Sequence, residues 1–128
     1  MLNLQREKLI DRYITAYNNL ELNGMVEVLH KDVVFENYTD GKLTTSTQGI
    51  DAFKKQAEQA IKLFESRNQS PEKWIHQTRF TEVHLDYQAV LAEDLPEKGL
   101  RKGDELKLKG KSKFEFKDGL ISKIEDYA

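Results

Sequence analysis

The chain has 128 residues, of which 38% are apolar, enough for one domain with one modest core and not for two. A third of the residues are charged, but 22 acids nearly cancel 20 bases, so neither a nucleic-acid-binding surface nor an acidic tail is implied. No cysteine occurs, which removes disulfides, thiolate metal sites and thiol nucleophiles together.

The opening segment "MLNLQREKLIDRY" is charged throughout and lacks the apolar stretch of a signal peptide, and no later run is long enough to span a bilayer. A soluble, cytoplasmic protein is expected. Through residues 4–22, Leu9, Ile10, Tyr13, Ile14, Tyr17 and Leu20 recur at three- and four-residue steps, which predicts a first helix with one apolar face. Asn23 is a plausible cap for a short second helix that buries Met25, Val28 and Leu29. The β-branched and aromatic "VVFENY" then reads as a strand, "TDG" as a hairpin turn tolerant of positive φ, and "KLTTSTQ" as the partner strand.

After Gly49, helical spacing resumes through Phe53, Ala57, Ala60, Ile61 and Phe64, and predicts a third helix over residues 50–67. "NQSPE" reads as a loop, because Pro71 bars helix continuation. Beyond it come a long strand-like run over residues 74–92, a charged loop, the alternating "LKLKGKSKFEF", a "KDG" turn and a closing strand over residues 120–127. The order α-α-β-β-α-β-β-β, joined by hairpins, predicts an α+β fold in which three helices fill a strongly curved antiparallel sheet, a cone whose interior suits a small ligand.

Two stretches, "IDRYITAYNNLELNGMVEVLHKDVVFENY" and "FKDGLISKIEDY", resemble the beginning and end of the nuclear-transport-factor-2-like superfamily, across nearly the whole chain. The resemblance implies the cone-shaped barrel and a homodimer through the outer sheet face; it does not fix an activity, since the superfamily holds enzymes, transport factors and binding modules. Compared with ketosteroid isomerases, Tyr13 stands where a tyrosine serves the oxyanion hole. The isomerase base falls on Asn37 and its neutral acid partner on Ser112, and neither side chain can do that work, so steroid isomerisation is not expected. SnoaL-like polyketide cyclases place an aspartate base on the final strand, where Asp126 matches it. Limonene-epoxide hydrolases follow that aspartate with tyrosine, as in Asp126-Tyr127, and hold a water with an asparagine at the position of Asn37. Their further tyrosine corresponds to Phe35 here, and their arginine-x-aspartate has at best His84 to Asp86.

The resemblance therefore makes Asp126, Asn37 and Tyr13 the candidate catalytic set and Tyr17, Phe35, Ser112, Phe114 and Ile124 the candidate ligand contacts. Each has a plainer reading. Asp126 is either a solvated strand end or a pocket carboxylate sharing a face with Leu120 and Ile124, where burial would raise its pKa towards that of a useful base. Asn37 is either a pocket amide or a residue preparing the turn, and Tyr17 fits ordinary core packing. His84 and Asp86 read best as a solvated pair. His76 and His84 stand roughly 26 Å apart along a continuous strand, so no metal site is expected, and no cofactor. The lysine row Lys107, Lys109, Lys111 and Lys113 reads as a solubilising face that deters edge pairing, not as a phosphate site. Two classes of function remain: a cofactor-independent acid–base enzyme acting on a small, largely apolar molecule, or a non-catalytic module for ligand binding or protein association.

Overall fold

The computed structural model describes residues 1–128. Helix α1 (Asn3–Asn18) and the short α2 (Leu22–Val26) lead into β1 (Leu29–Thr39) and β2 (Lys42–Gln48); α3 (Ile50–Lys62) is followed by β3 (Phe64–His76), β4 (Phe80–Leu91), β5 (Glu105–Lys117) and β6 (Leu120–Tyr127). A single 3-10 turn, Pro96–Lys98, interrupts the loop before β5. The six strands form one curved sheet in the order β2-β1-β6-β5-β4-β3, and the helices pack into it, α1 against β3 and β6 and α3 against β1, β2 and β3. No helix is long and apolar enough to cross a membrane.

Local chemistry sets the two tight hairpins. Asp40-Gly41 joins β1 to β2 with φ of 52° and 77°, and Asp118-Gly119 joins β5 to β6 with φ of 53° and 76°. Positive φ at both central residues is what a two-residue hairpin matched to strand twist requires, and Asp-Gly supplies it at small cost.

Three sequence expectations are corrected. Helix α3 stops at Lys62, five residues early, because Leu63 and Phe64 are drawn into the sheet: Phe64 pairs with Leu91, and the Ala92 N–H donates to the Leu63 carbonyl at 2.8 Å. The "NQSPE" segment is strand, not loop. Pro71 fits because β3 is a sheet edge, where the missing N–H breaks no ladder, and the register shifts between Pro71 and Lys73. The run over residues 74–92 is two strands, folded back where the Gln77 N–H donates to the Phe80 carbonyl and Arg6 reaches across to the Gln77 and Thr78 carbonyls at 2.6 and 2.7 Å.

The sheet is also not wholly antiparallel. Hairpins fix only strands adjacent in sequence, and β6 meets the remote β1 running in the same direction, so that one pairing is parallel. It aligns Phe35 with Ile124, Glu36 with Glu125, Asn37 with Asp126 and Tyr38 with Tyr127.

One core joins all the layers: Ile10, Tyr13 and Ile14 of α1, Phe53 and Ala57 of α3, and Val33, Val83, Phe114 and Ile124 of the sheet. Near the start of β6 the register shifts across Glu115 and Phe116, so the fully buried residue there is Ile121 and not Leu120, while Ile124 and Asp126 keep the inward face. Gly110 lets the end of β6 approach β5: a Cβ there would lie 2.8 Å from the Tyr127 carbonyl oxygen. Because that neighbour is backbone, Gly110→Ala should cost about 1–3 kcal/mol in urea unfolding, and a neutral result would show that the β6 terminus is free to move aside.

Candidate functional site

The acids that end β6 part company. Glu125 points outward, where it accepts from the Tyr127 hydroxyl and pairs with Lys123 Nζ at 3.0 Å, while Tyr127 stacks on Tyr38 with ring centroids 4.9 Å apart. Asp126 points inward, to a cavity of about 460 Å³ between α1, α3 and the inner face of the sheet.

Asp126 is half-buried and borders this cavity. Ser112 Oγ, itself fully buried on β5 directly opposite, donates to Asp126 Oδ1 at 2.6 Å. Burial pushes the Asp126 carboxyl up to about 6, and the Ser112 hydrogen bond pulls more weakly the other way. A carboxyl poised there is ionised at neutral pH yet basic enough to take a proton from a weak acid.

Asn37 is in register with Asp126 on the neighbouring strand and borders the same cavity. Its Nδ2 donates to Thr44 Oγ1 at 2.9 Å, and Thr44 returns a bond to the Asn37 backbone carbonyl at 3.1 Å. That exchange pins the amide and leaves its oxygen as the free acceptor. Tyr13 is 3% exposed and borders the cavity from α1, its ring edge-on to Phe114 at 6.0 Å. Its hydroxyl pKa is raised, first by burial and then by the Asp126 carboxylate, with Arg67 opposing, so it remains a phenol and a donor.

Of the expected ligand contacts, Tyr17 and Phe35 do line the cavity. Ser112, Phe114 and Ile124 do not: at 2%, 1% and 0% exposure they are sealed in the layer behind it. Ser112 acts on Asp126, and Phe114 supports Tyr13, so both shape the site without touching its contents. His84 and Asp86 lie away from it; His84 pairs with Glu82 at 2.9 Å and Asp86 with Lys109 at 2.9 Å. A shallow depression of about 340 Å³ over residues 86–88 and 107–109 holds that lysine–carboxylate pair and no convergent buried group.

Arg67 was not anticipated. It is 5% exposed, lines the cavity, donates Nε to the Tyr17 carbonyl at 2.8 Å, and stacks its guanidinium over the Tyr17 ring at 3.6 Å. The periodicity of α3 carried the predicted helix to residue 67, so the strand that turns Arg67 inward had no separate signal. Gln56 of α3, Lys98 and the threonines Thr39, Thr44 and Thr45 add to the polar lining, against an apolar wall that includes Met25, Phe53 and Phe64.

Similar folds have been solved. A proposed polyketide cyclase from Xanthomonas campestris pv. campestris superposes with a TM-score of 0.82 at 16% identity, covering 98% of this chain and 90% of that one. AclR, a proposed hydroxylase from Streptomyces galilaeus, gives 0.74 at 15% identity over 96% and 87% of the two chains. A protein of ketosteroid isomerase-like fold from Catenulispora acidiphila, crystallised with trimethylamine, gives 0.76 at 9% identity over 94% and 84%. Identities this low establish the shared cone-shaped fold and nothing finer. A search of curated proteins found no match. The sequence model of the SnoaL-like domain, however, matches residues 10–124, and the chain therefore belongs to the SnoaL-like domain family.

Proposed function

We propose that this SnoaL-like protein is a cofactor-independent acid–base catalyst acting on a small, largely apolar molecule held in the cone. The observation that carries the reading is Asp126: an inward carboxylate in a cavity of mixed apolar and polar lining, with one oxygen held by Ser112 and the other free of any protein partner. In this scheme Asp126 takes a proton from a carbon acid or a water, the Asn37 amide oxygen orients the proton-bearing group, and the Tyr13 phenol donates to the oxygen on which negative charge develops. Among solved structures of the fold, one is described as a proposed polyketide cyclase and another as a proposed hydroxylase, descriptions compatible with this reading. An open cavity, where a pure association module could fill its cone with side chains, supports a ligand-binding role.

The test is solvent deuterium exchange into the acidic carbon of simple 1,3-dicarbonyl compounds, together with carbon-13 titration of the Asp126 carboxyl. Exchange should rise with pH through about 6, in step with the Asp126 titration. Exchange indifferent to that ionisation would remove Asp126 as the base.

The outer sheet face bears on assembly. Glu36, Lys123 and Glu125 form a charged cluster beside the Tyr38–Tyr127 stack, with Lys111 and Lys113 over the Tyr127 ring at 5.4 and 5.7 Å. A homodimer through this face, which we also propose, would be polar and salt-sensitive. Light scattering at micromolar concentration should give about twice the single-chain 14.9 kDa and move towards it as salt is raised; a mass of one chain at low salt would exclude the dimer.

A further inference from the structure

Buried guanidinium groups ordinarily spend most of their donors, and Arg6 does so through its two terminal nitrogens, its Nε alone being sealed without a partner. Its Nη1 and Nη2 are taken up by the backbone carbonyls of Gln77 and Thr78, and the charge is spread over the β3–β4 turn. Arg67 is more deeply buried and far less satisfied. Beyond the Nε bond to the Tyr17 carbonyl, its one remaining polar contact is Nη2 to the Met25 sulfur at 3.8 Å, a weak acceptor. No carboxylate forms an ion pair with it; Asp126, the acid of the cavity, takes its hydrogen bond from Ser112 instead. A charge removed from water without a counter-ion is costly, and the chain carries that cost where the guanidinium borders an open cavity. Nη1, which has no hydrogen-bond partner in the protein, is not among the sealed, partnerless polar atoms, which are Arg6 Nε and Thr47 Oγ1, so it reaches open space, while Nη2 leans on the Met25 sulfur and keeps a second N–H to give. The Tyr17 contacts meanwhile fix the guanidinium plane, so its outer edge is presented in one orientation. Lys98 adds a second cation to the lining, and the only carboxylate there is Asp126.

From this arrangement we infer that the ligand is an anion: a small molecule with an apolar body and one carboxylate, gripped end-on by Nη1 and Nη2 of Arg67. The Nε edge is occupied by Tyr17, which leaves the terminal edge of the guanidinium, a two-donor fork that matches the two oxygens of a carboxylate. The body of the ligand lies along Met25, Phe53 and Phe64, and the cation–π contact with Tyr17 keeps the fork rigid when the site is empty. The inference rests on the reading of the cavity as a ligand site and names the class of molecule it takes.

The experiment compares matched pairs on the full chain by titration calorimetry at pH 7: benzoate with benzamide, 2-naphthoate with 2-naphthamide, and 4-phenylbutyrate with its amide. At least one carboxylate should bind saturably and about tenfold or more tighter than its amide, and Arg67→Gln, checked for folding by circular dichroism, should abolish that preference while amide binding persists. Should the variant not fold, the Arg67 Nε–H resonance of the unsubstituted protein decides: it should shift with 2-naphthoate and not with 2-naphthamide. Equal binding of acid and amide would overturn the anion site and leave the ligand cavity standing. A carboxylate preference that survives in Arg67→Gln, or leaves the Arg67 resonance unmoved, would overturn the assignment to Arg67. No saturable binding of any of the six compounds would overturn the anion site and the ligand cavity together.

Discussion

Asp126→Asn should make the protein more stable at neutral pH and less active at every pH. The folded-state pKa of Asp126 stands at about 6 against the ordinary 3.8, so the native state holds this proton more tightly than the unfolded chain does. A raised pKa means that the contribution to stability is fully present below the unfolded value and is lost as pH rises towards and through the folded one. Above about pH 6 the native protein carries the whole cost of an ionised, desolvated carboxylate, on the order of 2–3 kcal/mol after allowing for the solvent that reaches the cavity. Asparagine has the same shape and still accepts from Ser112, but carries no charge. Urea unfolding of both proteins should therefore show the variant ahead by that amount at pH 8 and the difference largely gone near pH 3.5. The same substitution removes the base, and proton exchange or turnover should fall about a hundredfold or more. A stability difference that does not change with pH would mean that the carboxyl is not desolvated in solution. Undiminished exchange in the variant would move the base elsewhere.

Phe114→Ala should have the largest effect on stability of any single change near the site. The ring is 1% exposed, at the centre of the sheet's inner layer, and stands edge-on to Tyr13 at 6.0 Å. Removing it loses the transfer free energy of a buried phenyl group and leaves a void whose walls, β5 between β4 and β6 and the packed face of α1, cannot close in. The expected loss is about 3–5 kcal/mol in urea unfolding. Because Tyr13 rests on that ring, the variant should also loosen the phenol, seen as broadening of the Tyr13 ring resonances under conditions where the protein remains folded. A loss below about 1 kcal/mol would show that the core collapses around the site and that Tyr13 does not depend on Phe114 for its position.

Periodicity located the helices in the first half of the chain but not their ends: Asn23 lies inside α2 rather than capping it, α2 stops at Val26 before Val28 and Leu29, and α3 ends at Lys62. The stripe from Leu9 to Tyr17 marks α1 because its apolar side chains have one face to bury, and the two Asp-Gly pairs mark their hairpins because few other dipeptides accept positive φ twice in succession. Asp126, Asn37 and Tyr13 could be named only from the resemblance, which matches them to positions on the last strand, the first strand and the first helix. Neither Arg67 nor the reach of β3 could be read, because residues 63–72 alternate poorly and owe their strand form to pairing with β4, a partner remote in the chain. Ser112 could be compared with an isomerase acid but not seen as the donor that holds Asp126, a role that exists only once β5 and β6 set the two opposite each other. The sequence by itself marked the apolar faces of the helices and the two hairpins, because each depends on neighbours within a few residues, and it left Asp126 open between a solvated strand end and the pocket. The tertiary structure alone decided the parallel union of β1 with β6, which brings Asn37 level with Asp126, and the unpaired Arg67 beside Tyr17, because both depend on which distant strands and helices meet when the cone closes.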